Sequence, residues 1–146
     1  MDDRMRILFI SHDAGRSGAP IVLLRLLQWR RTQHLPDVDI LLGRGGPFKR
    51  DFSAVGRVVD AEAERAERTR LQKIARRLRL CYRFYGHPSR SLQCALPRSI
   101  DEYDLIYVNS VAALPWLKEI EAPVNVPILL HVHELSHSMR CLLGGD

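Results

Sequence analysis

Five short apolar runs, separated by segments of helical pattern, constrain this chain more than any other feature. The runs are "RILFIS" (6–11), "VDILLG" (38–43), "RVVDA" (57–61), "YDLIYVNS" (103–110) and "VPILLHV" (126–132). They are short, apolar and hold β-branched or aromatic members, so they read as strands. They are continuously apolar rather than alternating, the pattern of strands covered on both faces. Among the intervening segments, "PIVLLRLLQWRR" opens on Pro20, whose missing N–H is harmless in a first helical turn, and Ser17 or Gly18 suits its cap. Apolar residues fill most of this helix's circumference, so it is expected to be buried, Trp29 included.

"FKRDFSAVG" reads as a short helix or turn, and "AALPWLKEIEA" as a short helix with Pro115 in its first turn and Trp116 in the core. Residues 62–85 place Leu71, Ile74, Leu78, Cys81 and Tyr85 at helical spacing, with arginines on the other face. Residues 86–99 carry Gly86, Pro88 and Pro97 and are the least ordered-looking stretch. Leu135, Met139, Leu142 and Leu143 suggest a last helix. Strands alternating with helices predict an α/β fold: a Rossmann-like parallel sheet with helices on both faces, strand order 3-2-1-4-5. A length of 146 residues suits one such domain, 1–146.

Apolar residues make up 46% and charged residues 27%, which argues against disorder. No apolar run approaches the roughly 20 residues that span a bilayer, and the acidic start does not resemble a secretory signal. Cys81, Cys94 and Cys141 are odd in number and widely spaced, which disfavours a disulfide framework or a zinc-cysteine site. A cytoplasmic chain with free thiols is expected. The net charge of +5 is concentrated in residues 65–83, where Glu67 is the single acid among arginines and a lysine. A solvated charged face is the plain reading of that segment. The functional one is peripheral contact with anionic lipid at the inner face of a membrane. Nucleic acid is not expected, because no recognised reader motif accompanies the arginines.

In an open parallel sheet, ligands bind beyond the carboxyl ends of the strands. His12, Gly15, Arg16, Ser17 and Gly18 follow the first strand, Gly43, Gly45 and Gly46 the second, Asn109 and Ser110 the fourth, and His133 and Glu134 the fifth. The first loop suits a diphosphate, since its glycines allow close approach and the next helix aims free N–H groups there. It is neither G-x-G-x-x-G nor G-x-x-x-x-G-K-[ST], and no acid ends the second strand to grip a ribose. A plain βα turn that needs glycine for its geometry is the alternative.

"HELSH" (133–137) spells the zinc signature H-E-x-x-H. A zinc helix needs both histidines one turn apart on one face. Here the fifth strand runs into His133, so His137 falls in the following element and that geometry is lost. Alternation along the strand puts His131 and His133 on one face and Val132 on the other. A histidine at the mouth of a parallel sheet instead suits hydrogen bonding or acid–base work.

Four segments, "ILFISHDAGRSGAPIVLLRLLQW", "DVDILLGRGGPFKRDFSAVG", "YDLIYVNSVAA" and "VPILLHVHEL", in this order and spacing, resemble the N-terminal domain of family-4-type glycosyltransferases, retaining enzymes of the GT-B fold. The resemblance runs from about Arg6 to Leu135. It implies one half of a two-domain enzyme, the acceptor-side half, with the active site in the cleft between halves. It implies a donor-diphosphate loop at Ser17, Gly18 and Ala19, with His133 as the catalytic-site histidine. It sets His12, Arg16, Asn109, Ser110 and Glu134 along the cleft and acceptor side. The substrates implied are a nucleotide-sugar and a glycan or lipid-linked acceptor, with no cofactor and no metal required. The donor domain, with its paired-glutamate element, is absent from these residues, so this chain alone is expected to be inactive. A non-catalytic α/β saccharide- or nucleotide-binding module and a zinc hydrolase are the other readings of the same residues.

Overall fold

The computed structural model of the protein describes residues 5–77, 92–122 and 125–133. Five strands form one sheet: β1 (Ile7–Ser11), β2 (Asp39–Leu42), β3 (Arg57–Asp60), β4 (Leu105–Asn109) and β5 (Ile128–His131). Their order is β3-β2-β1-β4-β5, the order the alternation predicts, and every neighbouring pair is parallel.

Alternate strand residues face opposite sides of a sheet, which gives this one two cores. On one face Ile7, Phe9, Ile40 and Leu42 pack with α1 (Gly18–Thr32) and with Phe52 of α2 (Lys49–Val55). On the other, Leu8, Ile10, Leu41, Ile106 and Val108 pack with Ala61, the first residue of α3 (Ala61–Arg77), and with Trp116 and Leu117 of α4 (Leu114–Glu119). Pro115 stands in the first turn of α4, as expected. Among the described residues, no helix is long and apolar enough to cross a membrane.

Three expectations about burial are corrected. Trp29 is 56% exposed. The buried residues of α1 are Pro20, Leu23, Leu24 and Leu27, a single stripe. Each helical residue turns by about 100°, so Trp29, two beyond Leu27, points away from the sheet. The described part of 86–99 is not loose: Leu92 starts a 3-10 turn, Leu92–Ala95, and is buried with Leu96 in the second core. The fifth strand is not covered on both faces. Ile128, Leu129 and Leu130 are 40–48% exposed, because β5 is the sheet edge and no described helix reaches across it. Cys94 is an exposed free thiol. Cys81, Cys141 and the expected last helix lie outside the described residues.

The amino ends of the strands carry a buried acid that the pattern reading missed. Asp39, the first residue of β2, is 2% exposed. Its carboxylate accepts from Arg57 Nε at 2.7 Å and from the Tyr103 hydroxyl at 2.8 Å, and Arg98 Nε lies 3.5 Å away. One carboxylate thus ties β2 to β3 and to the segment that enters β4. Burial, then the hydrogen bond to Asp39, pushes the Tyr103 phenol well above its ordinary range.

Candidate functional site

The strand order reverses between β1 and β4, and the carboxyl ends meet there in register: Ser11 lies beside Asn109, and Asn109 beside His131. Asn109 is fully buried on the α1 face. Its Nδ2 donates to the carbonyl of Ala19 in the first turn of α1 at 3.0 Å. Its Oδ1 lies 2.8 Å from His133 Nε2. The structure therefore brings together Ala19 of α1, Asn109 of β4 and His133, two residues past β5, three of the expected site residues.

The imidazoles of His131 and His133 stack, with centroids 3.9 Å apart and planes 35° apart. That stacking bears out a shared face for the two histidines. Tyr107 meets the edge of His131, and its hydroxyl bonds His131 Nδ1. Burial pushes the Tyr107 phenol up. His133 lies beyond the last residue of β5 and is not helical, so the H-E-x-x-H letters do not begin a zinc helix at their first histidine. Glu134 and His137 lie outside the described residues.

Ser110, buried directly after Asn109, has φ 85° and ψ 148°. Only glycine adopts that region readily, and such strain costs about 1–3 kcal/mol. Several bonds hold it: Ser110 N–H donates to the His131 carbonyl at 2.8 Å, its carbonyl accepts from Ala113 N–H at 3.1 Å, and its Oγ accepts from Ala112 N–H at 3.1 Å. The turn ends β4 abruptly, so Asn109 remains in strand register with its side chain toward α1. Nothing in the letters "VNSVAA" signals this strain.

The loop between β1 and α1 is fastened from within and from outside. Ser11 Oγ donates to the Asp13 carbonyl at 2.8 Å, and Gly15 N–H donates to Asp13 Oδ1 at 2.9 Å. Ala14 N–H bonds the Arg44 carbonyl at 3.1 Å, and Phe48 N–H bonds the Ala14 carbonyl at 3.0 Å. A Cβ on Gly46 would lie 2.5 Å from that same Ala14 oxygen, so the second glycine loop must be bare to press against the first.

Ser17 stands at the N-cap of α1, but its side chain makes no capping bond. The first intrahelical bond is Ile21 N–H to the Ser17 carbonyl, and Pro20 has no N–H. Gly18 and Ala19 therefore supply the donors of the first turn, and a Cβ on Gly18 would meet no protein atom within 4 Å. Arg16 is exposed beside them. At His12, Nε2 is 3.5 Å from Asp13 Oδ1, and Nδ1 is buried without a hydrogen-bond partner among the described residues.

At the carboxyl end of β2, the Trp116 indole occupies the space that a side chain at Gly43 would take. Arg65 lies over that indole, 4.8 Å from its centroid, and pairs with Glu119. A dinucleotide fold places a ribose-gripping acid here. Gly43 offers none, and tryptophan fills its place. The sequence shows the missing acid, whereas the indole that replaces it comes from a helix far along the chain.

The chain matches none of the family models, curated proteins or solved structures with which it was compared.

Proposed function

We propose that this domain is the acceptor-side half of a retaining GT-B glycosyltransferase of the family-4 type. The observation that carries the reading is the bonded chain Ala19–Asn109–His133 at the reversal of strand order. It places an imidazole beside the open first turn of a 15-residue helix. A helix start with bare N–H groups suits a diphosphate, and a polar imidazole near it suits a hydroxyl-rich group. The indole over Gly43 speaks against a dinucleotide in the usual ribose position of this domain.

In this reading the Gly18 and Ala19 N–H groups approach the diphosphate of a nucleotide-sugar, with Ser17 beside them. His133 lines the sugar site, while His12, Arg16, Asn109, Ser110 and Glu134 form the cleft and acceptor side. The acceptor is a glycan or a lipid-linked saccharide. The basic residues of 65–83 other than Arg65 make peripheral contact with an anionic membrane at the cytoplasmic side, while Arg65, held by Trp116 and Glu119, serves the fold. The donor-holding half lies outside these residues.

The test is a transfer assay with labelled nucleotide-sugars and a panel of glycan and lipid-linked acceptors. It uses the longest product of the reading frame that contains this domain, beside the 146-residue chain alone. Transfer by the longer product, reduced at least a hundredfold by His133→Ala, is expected, with none from the 146-residue chain. Full transfer by the 146 residues, or binding without transfer by the longer product, overturns the proposal.

A further inference from the structure

Which nitrogen of His133 carries the proton follows from the bonds of Asn109. A carbonyl oxygen can only accept, so the amide atom 3.0 Å from the Ala19 carbonyl is the Nδ2 donor. The other amide atom is then the oxygen, also only an acceptor, and it faces His133 Nε2 at 2.8 Å. The ring nitrogen opposite it must donate.

We propose that Asn109 is a positioning residue that holds neutral His133 as its Nε2–H tautomer, with Nδ1 as the acceptor nitrogen of the ring. Three further features make the constraint firm. Asn109 is fully buried, so water does not compete for its amide. The strained Ser110 turn and the His131 carbonyl that it binds keep the ends of β4 and β5 at fixed separation. The stack of His131 on His133 then limits rotation of the ring about the bond to Asn109. Fixing a histidine tautomer through a bond to its other nitrogen is how proteins decide which end of an imidazole is a base. The proposal concerns the same edge as the transfer reading but does not require any particular ligand.

The experiment is a two-bond proton–nitrogen correlation spectrum of the unliganded, labelled 146-residue chain above pH 8, where imidazoles are neutral. His133 is expected to show the Nε2–H pattern. Asn109→Asp keeps an acceptor toward Nε2 and is expected to keep the pattern, although it cannot donate to Ala19. Asn109→Ala removes the acceptor and is expected to give a mixture of tautomers. A Nδ1–H pattern in the unaltered chain overturns the proposal without recourse to any variant. So does an unchanged Nε2–H pattern in a folded Asn109→Ala chain. Because no ligand is present, either result leaves the transfer reading to its own assay.

Discussion

The Trp116 indole lies on the α-carbon of Gly43, in the volume a methyl group at that position would need. The same methyl would stand 2.6 Å from the His12 carbonyl oxygen, so it has no way to turn aside. Gly43→Ala is therefore expected to push Trp116 off the end of β2 and loosen the Arg65–Glu119 pair. Overpacking of this kind destabilises by about 1–3 kcal/mol. Denaturant unfolding measures that loss, and Trp116 fluorescence should shift to the red. An unchanged midpoint would show that the indole has room to move.

Gly18 is the contrasting glycine, with open space above it. Gly18→Ala should change stability by no more than about 0.5 kcal/mol, since the new methyl meets no protein atom. It should weaken binding of a diphosphate about tenfold, or about 1.4 kcal/mol, because the methyl stands where the ligand approaches. Calorimetry on the variant separates the two effects. Equal affinity in the variant would show that the ligand does not approach α1 here.

Asp39 predicts a large loss of stability with no bearing on ligands. Asp39→Ala strips the partner from the buried Tyr103 hydroxyl and from Arg57, and about 2–4 kcal/mol should be lost in chemical denaturation. A loss below about 0.5 kcal/mol would mean that water replaces the carboxylate without penalty.

Tyr103 also sets an alkaline limit. Its folded-state value is raised above the ordinary 10.0, so the unfolded chain gives up this proton first. The stability linked to it is complete below pH 10 and falls as pH rises above that value. Tyr103→Phe should lose about 1–2 kcal/mol at neutral pH and flatten the fall above pH 10. Parallel alkaline slopes for the two proteins would assign the fall to other groups.

The basic segment 65–83 is tested on vesicles that contain anionic lipid. Charge reversal at Arg76 and Arg77 should abolish co-sedimentation. Binding that is unaffected by both reversals would leave this segment as a solvated face.

How much of this was legible in the sequence differs by kind of contact. Strand order followed from the alternation of apolar runs and helical patterns, because parallel strands need crossovers and few arrangements satisfy them. The grouping of Asn109 with His133 followed from register, since both stand at the carboxyl ends of adjacent strands. The pattern was silent where side chains from remote segments decide the outcome. Trp116 reaches β2 from α4, and Tyr103 reaches Asp39 across the sheet's lower edge. Asp39 itself was a visible signal, an acid inside "VDILLG" that demands a partner, but periodicity does not say which. The burial of Trp29 was misjudged because a helix that is apolar on most sides still offers the sheet only one stripe.

The central claim is that the edge formed by α1, β4 and β5 receives a nucleotide-sugar. Titration of the labelled chain with millimolar nucleotide-sugars, read by amide shifts, tests it most directly. The account predicts perturbations concentrated at Gly15, Gly18, Ala19, Asn109, Ser110 and His133, with the remainder of the sheet unmoved. Perturbations confined to another surface, or none at this edge, would contradict it.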